Sequence, residues 1–123
     1  MTYYIYAGFD YKNRKNGYFK IGQTQHLKNR ISNIQHYDSF QVLKYLEIDT
    51  NKSGALLIES IVRFELNKNL THTQNDHFLY EINSDDKYGQ AELIASAAID
   101  AAKKGCEIYG IAYREGTEQL KRK

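Results

Sequence analysis

Apolar and polar positions alternate over two short runs near the start of the chain, residues 3–8 and 18–23, and both are rich in β-branched and aromatic residues. The polar segment between them, residues 10–17, ends in Asn16-Gly17, so the pattern predicts a β-hairpin. Side chains alternate faces along a strand, which puts Tyr4, Tyr6 and Gly8 on one side of the first run and Ile5 and Ala7 on the other. If Phe19 and Ile21 join Ile5 on the core side, then Tyr18, Lys20 and Gly22 share the side of Tyr4 and Tyr6. Thr24 then reads as a helix N-cap, and Leu27, Ile31 and Ile34 form an apolar stripe on a helix of about three turns, with Arg30 beside it.

Residues 40–48 alternate again and predict a third strand, with Val42 on the buried side beside Phe40 or shifted by one register. Ser53 reads as the cap of an apolar helix over residues 54–69, with Leu57, Ile58, Ile61, Val62, Phe64 and Leu66 as its buried face. Glu59 sits at the rim of that face, adjacent by helical spacing to Ala55, Val62, Arg63 and Leu66. A polar loop over residues 71–77 and a short extended run over 78–82 precede the helix-start cluster of residues 83–86. An alanine-rich helix follows over residues 90–104, stopped by Gly105, with Ile94, Ala97, Ala98 and Ala101 suited to close packing. Residues 106–113 are strand-like and residues 114–123 form a polar tail with a basic end.

At 123 residues, with 41% hydrophobic and 26% charged, the composition is that of one folded domain with a single core rather than a disordered chain. No apolar run is long enough for a membrane span and none follows a basic start as a leader would, so the expected partners exclude the membrane and the expected location is the cytoplasm. The single cysteine, Cys106, excludes an intramolecular disulfide and a cysteine-rich zinc cluster, and reads as a small buried hydrophobe. Charge is uneven. Residues 1–37 hold six bases and one acid, a net of +5, while the remaining 11 bases and 14 acids give −3. A local positive field of that kind suits a polyanion. Lys12, Arg14 and Lys15, interleaved with Tyr11, and Lys28 are the candidate phosphate contacts.

The face carrying Tyr4, Tyr6, Tyr18 and Lys20, with Arg30 nearby and Glu59 as a carboxylate, holds the ingredients of metal-assisted phosphodiester hydrolysis. These are a proton acceptor, cations for the developing charge, and a hard oxygen ligand for Mg²⁺. The four histidines show no metal-ligand spacing and read as solvated or helix-end residues, with His36 and His77 the two that could join the site or contact phosphate.

In this order and spacing the motifs resemble the GIY-YIG nuclease superfamily. Tyr4-Ile5-Tyr6 stands at its first motif, Lys20-Ile21-Gly22 at its second, residues 24–30 match Thr-x-x-Leu-x-x-Arg, and Ala55-x-x-x-Glu59 matches the helix bearing its acidic residue. The Lys-Ile-Gly form is most similar to the phage and bacterial branch. The resemblance implies an α+β domain with a small three-stranded antiparallel sheet flanked by helices. On that division, residues 1–82 are the nuclease core, 83–113 a helix and strand extension of it, and 114–123 a basic polar tail.

It further implies a DNA endonuclease using Mg²⁺ or Mn²⁺ held by Glu59, with Tyr6, Lys20 and Arg30 as its other catalytic residues. Tyr6, or a hydroxide supplied with the metal, takes the proton of the attacking water. The family's supporting asparagine corresponds to Asn75 or Asn83. Lys20 stands where many relatives carry tyrosine; on one sheet face with Tyr6, its ammonium is expected to lower the Tyr6 pKa or hold the scissile phosphate. RNA remains open beside DNA as substrate, as do a homodimer and a catalytically inactive protein that binds nucleic acid or another partner.

Overall fold

The N-terminal hairpin forms as its pattern requires: β1 (Thr2–Asp10) pairs antiparallel with β2 (Gly17–Thr24), placing Tyr6 opposite Gly22 and Gly8 opposite Lys20. The computed structural model describes residues 1–10, 17–32, 40–74, 79–82, 86–116 and 120–121. On the other side of β1 lies β3 (Phe40–Asp49), again antiparallel, with Tyr45 opposite Tyr6. These are the three expected strands, in an α+β arrangement flanked by helices.

Further strands widen the sheet on both sides. β4 (Thr71–Gln74) and β5 (Leu79–Ile82) extend it beyond β2, while β6 (Ala112–Gly116) and β7 (Leu120–Lys121) both pair with β3, giving the order β4-β5-β2-β1-β3-β6. Residues 71–74 are therefore strand rather than loop. An edge strand is held by its backbone pairing and tolerates polar side chains, so its composition hid it. Arg114 to Gly116, expected as tail, are the second half of β6.

The two faces of the sheet have different occupants. Tyr3, Ile5, Ala7, Phe9, Phe19 and Ile21 point to the main core, under α2 (Lys52–Asn67) and α3 (Lys87–Tyr109). Tyr6 points to the other face, where it packs with Phe40, Val42 and Leu27, the first residue of α1 (Leu27–Ser32), and Tyr4 and Tyr45 border this smaller cluster. A register shift lies opposite Ala7 and Gly8, where Val42 and Lys44 pair with neighbouring residues of β1 and Leu43 is extra. This bulge lets Val42 and Tyr45, three residues apart, share a face while Leu43 and Leu46 serve the main core.

Several helix ends differ from expectation. Thr24 closes β2 and its hydroxyl accepts from the His26 N–H at 3.1 Å, the bond of a capping residue, although α1 itself starts at Leu27; Ile34 lies outside the described residues. Asn51, not Ser53, caps α2, accepting from the Gly54 N–H at 2.9 Å. The buried face of α2 is Ala55, Ile58, Glu59, Val62 and Leu66, leaving Leu57 and Phe64 exposed. That stripe is narrower than the run of apolar residues suggests, because a helix of this length shows only one side to a flat layer.

Asp86 caps α3, from the expected start cluster, and the helix runs through Gly105 to end at Gly110, which has φ 68°. Gly105 is a packing glycine: a Cβ there would lie 2.9 Å from the δ-methyl of Ile61 on α2. Ile94, Ala98 and Ala101 are buried as expected, whereas Ala97 is exposed. Cys106 is fully buried in the main core, and burial pushes its thiol up to about 11, consistent with an inert hydrophobe. No helix among the described residues is long and apolar enough to cross a membrane.

Candidate active site

Tyr6 is the anchor of the site. It is 1% exposed, on the sheet face opposite the main core, and its ring lies directly over Gly22, where a Cβ would overlap the hydroxyl and approach Cζ to 2.6 Å. The glycine of the Lys-Ile-Gly motif is thus the space that Tyr6 occupies. Burial of Leu27 against Tyr6 docks α1 on this face and brings Arg30, one turn later, to the phenol. The Arg30 Nε–H donates to the Tyr6 hydroxyl at 3.4 Å, a long bond that leaves most of the guanidinium exposed and available for an anion.

Glu59 comes from the opposite layer. Its helix packs on the main-core face, yet β5 covers β2 only at Gly17 to Lys20, so the edge of β2 beyond that point is not covered by β5. There the Glu59 carboxylate accepts a hydrogen bond from the Gln23 backbone, and it feels the charges of Arg63, Lys20 and Arg30. α1 and α2 lie on different faces, but the carboxylate at the strand edge makes one electrostatic unit with Tyr6, Lys20 and Arg30.

Burial dominates this unit. It pushes Glu59 above the usual carboxylate range even though Arg63, Lys20, the Gln23 N–H and Arg30 all pull the other way; the side chain is 8% exposed. Lys20, 6% exposed, is pushed down to about 8, by burial first and the Arg30 charge second, with Glu59 opposing. Burial also raises Tyr6, and the cation that pulls it back is Arg30. The expectation that Lys20 lowers the Tyr6 pKa is therefore corrected. Sharing a face with Tyr6 places Lys20 next to Gly8, not next to the phenol, while Arg30 reaches the hydroxyl directly.

Of the other expected residues, Tyr4 lies on the Tyr6 side of the sheet, its ring edge-on to Tyr45 at 6.0 Å and its hydroxyl hydrogen-bonded to Glu47. Lys28 is exposed on α1, and the backbone of Tyr18 pairs with Asp10 and Glu81. Lys12, Arg14, Lys15, His36, Asn75, His77 and Asn83 lie outside the described residues. Arg63, set beside Glu59 by the i, i+4 spacing, is the foremost charge acting on that carboxylate. One residue escaped the sequence reading of the site: Tyr45 borders the Tyr6 cluster because of the bulge in β3, for which the sequence carries no signal.

The donor set is one buried carboxylate. No group of three or more His, Cys, Asp or Glu side chains converges among the described residues. That suits a hard cation such as Mg²⁺, which takes one or two carboxylates and completes its shell with water and substrate phosphate. Burial outweighs the surrounding cations in setting the direction of the Glu59 shift, and a divalent charge beside the carboxylate would favour its ionised form.

A family model, the T5orf172 domain, matches residues 3–107. The matched region takes in β1, β2, α1, β3 and α2, and so Tyr6, Lys20, Arg30 and Glu59 together. No curated protein and no solved structure matches the chain.

Proposed function

The chain belongs to the T5orf172 domain family, which lies in the nuclease-related range, and from that premise we propose that it is a divalent-metal-dependent DNA endonuclease of the GIY-YIG type. The observation that carries this reading is the meeting of Arg30 with the Tyr6 hydroxyl at 3.4 Å on the strand edge where Glu59 comes round from the other layer.

Arg30 is oriented by Tyr6 and presents its remaining N–H groups to a phosphoryl oxygen. Lys20 adds a second cation on the same face of β2. Tyr6 is a protonated phenol at neutral pH, so it donates to or positions the attacking water, and serves as a base only for the minor phenolate that Arg30 favours. Glu59 would hold Mg²⁺ or Mn²⁺, which would supply Lewis-acid stabilisation of the charge developing on the phosphate. The Arg63 charge, the foremost acting on that carboxylate, favours its ionised form.

The test is cleavage of supercoiled and branched DNA with Mg²⁺, Mn²⁺ or chelator. Arg30→Ala and Glu59→Gln are each expected to lower the rate by about 10²–10³-fold or more, and Tyr6→Phe by about 10²-fold. Cutting that survives chelation, or a normal rate in Glu59→Gln, overturns the mechanism. Stability separates a catalytic from a structural carboxylate. Because the folded pKa of Glu59 is raised, the cost of its ionised form is present above that pKa and vanishes below the unfolded value. Glu59→Gln should therefore match or exceed the wild-type Tm at about pH 7.5 and lose that advantage toward about pH 4.

One observation favours a binding-only protein, namely Lys20 at the position of a motif tyrosine. A salt-dependent shift of DNA with no product in any metal would support that alternative.

A further inference from the structure

Beside the Tyr6–Arg30 pair a cavity of about 300 Å³ opens on the same face of the sheet. Its aromatic wall is Tyr4 and Tyr45, with ring centroids 6.0 Å apart and planes inclined at 64°. Leu27, which also packs on Tyr6, closes one side, and the polar rim carries Gln25, Lys28 and Asn29. The volume lies at the lower end of small-ligand pockets, about 300–1,000 Å³, and so suits a single planar ring system rather than a larger ligand.

Both rings are fixed before any ligand arrives. The Tyr4 hydroxyl bonds to Glu47, which is itself held by Arg114 at 2.7 Å. The Tyr45 ring rests on the backbone of β6 at Gly116, where a Cβ would overlap it. A prepared aromatic wall loses little conformational entropy when something stacks on it. The rim chemistry narrows the occupant: two amides that donate and accept suit the polar edges of a base, and an ammonium suits its phosphate.

Position supplies the rest. Tyr4 and Tyr6 are two residues apart on one side of β1, roughly 6.6 Å along the strand, and Tyr45 is directly opposite Tyr6. A ring seated in the cavity would belong to the nucleotide next to a phosphate at Arg30. Bases stacked in a duplex present no free face, so this ring must come from an unpaired or extruded nucleotide.

We propose that this cavity receives one unstacked nucleobase of the DNA strand, stacked on Tyr45 with the inclined Tyr4 ring against its edge, so that the site engages DNA at an unpaired nucleotide adjacent to the phosphate at Tyr6 and Arg30. The inference rests on the nuclease reading for the placement of that phosphate. Because every base has an aromatic face, the cavity selects for unpaired structure rather than for sequence.

The experiment uses the full chain in chelator, where binding is read without cleavage, and oligonucleotides carrying 2-aminopurine in a single strand, a one-base bulge or a plain duplex. The bulged and single-stranded forms are expected to bind about 5–100-fold tighter than duplex and to change the 2-aminopurine fluorescence. Tyr45→Leu should lose both the preference and the fluorescence change while keeping the weaker duplex binding. If Tyr45→Leu does not fold, Tyr4→Leu and the exposed pair Gln25→Ala with Asn29→Ala are read in its place. Equal wild-type affinity for bulge and duplex, or an unchanged fluorescence response in the folded variants, overturns the proposal. Base-dependent binding with no cleavage in any metal would defeat the nuclease reading alone, whereas cleavage without base dependence would defeat the cavity alone.

Discussion

At Lys20 an ammonium is held where burial and the Arg30 charge both work against it, while the Glu59 charge supports it. With its pKa near 8, the charge is full below that value and lost as pH rises through it. An incoming phosphate adds a further negative charge beside Lys20, so binding above about pH 8 draws a proton onto it. DNA affinity in chelator should therefore be flat near neutrality and fall by up to about tenfold per pH unit between roughly pH 8 and 9.5. Lys20→Arg should remove the slope, because a guanidinium keeps its proton throughout. A slope that persists in Lys20→Arg would assign it elsewhere. The positions of Tyr6, Lys20, Arg30 and Glu59 were legible in the sequence, since each is set by strand alternation or helix spacing. Their influence on one another was not, because it depends on how deeply each is buried and on which cation reaches the phenol.

Among the elements, β2 shows how a backbone position can be read without its reason. Gly22 is legible as a motif residue, but only packing reveals that the Tyr6 ring fills the space above it. Gly22→Ala should leave strand pairing intact, displace the phenol from Arg30, cost about 1–3 kcal/mol by overpacking, and reduce cleavage by about 100-fold. Chemical denaturation and initial rates measure the two effects. In the double variant with Tyr6→Leu the stability loss should be largely recovered and the activity not, which a general weakening of β2 would not produce. The same limit explains the misplaced helix end. Gly105 and Gly110 look alike in the sequence, yet Gly110 takes the left-handed cap at φ 68° while Gly105 lets α3 close on α2. The bulge in β3 and the polar edge strand β4 were hidden because both are fixed by backbone pairing rather than by side-chain pattern.

Across the whole molecule the two sheet faces divide the work: one buries the main core beneath α2 and α3, and the other carries Tyr6 and Lys20 on the side where α1 supplies Arg30. Glu59 is the side chain that crosses this division, so its placement depends on how α2 rests on α3. Gly105 sits at that contact, where an added Cβ would lie 2.9 Å from the δ-methyl of Ile61 and 3.1 Å from that of Ile58, the latter beside Glu59 in the chain. In Gly105→Ala those methyl groups can rotate away, and the gain in helix propensity of about 0.5–1 kcal/mol offsets the crowding, so stability and activity should both stay near wild type. Gly105→Leu cannot be absorbed in this way and should cost about 1–3 kcal/mol as α2 is pushed outward. The face carrying Arg30 and Lys20 does not rest on α3, so DNA affinity in chelator should change little at temperatures where the variant is folded. Metal-dependent cleavage should fall and require more metal, because the displaced carboxylate is the ligand. Equal losses of binding and cleavage would mean that α2 supports the whole site rather than Glu59 alone.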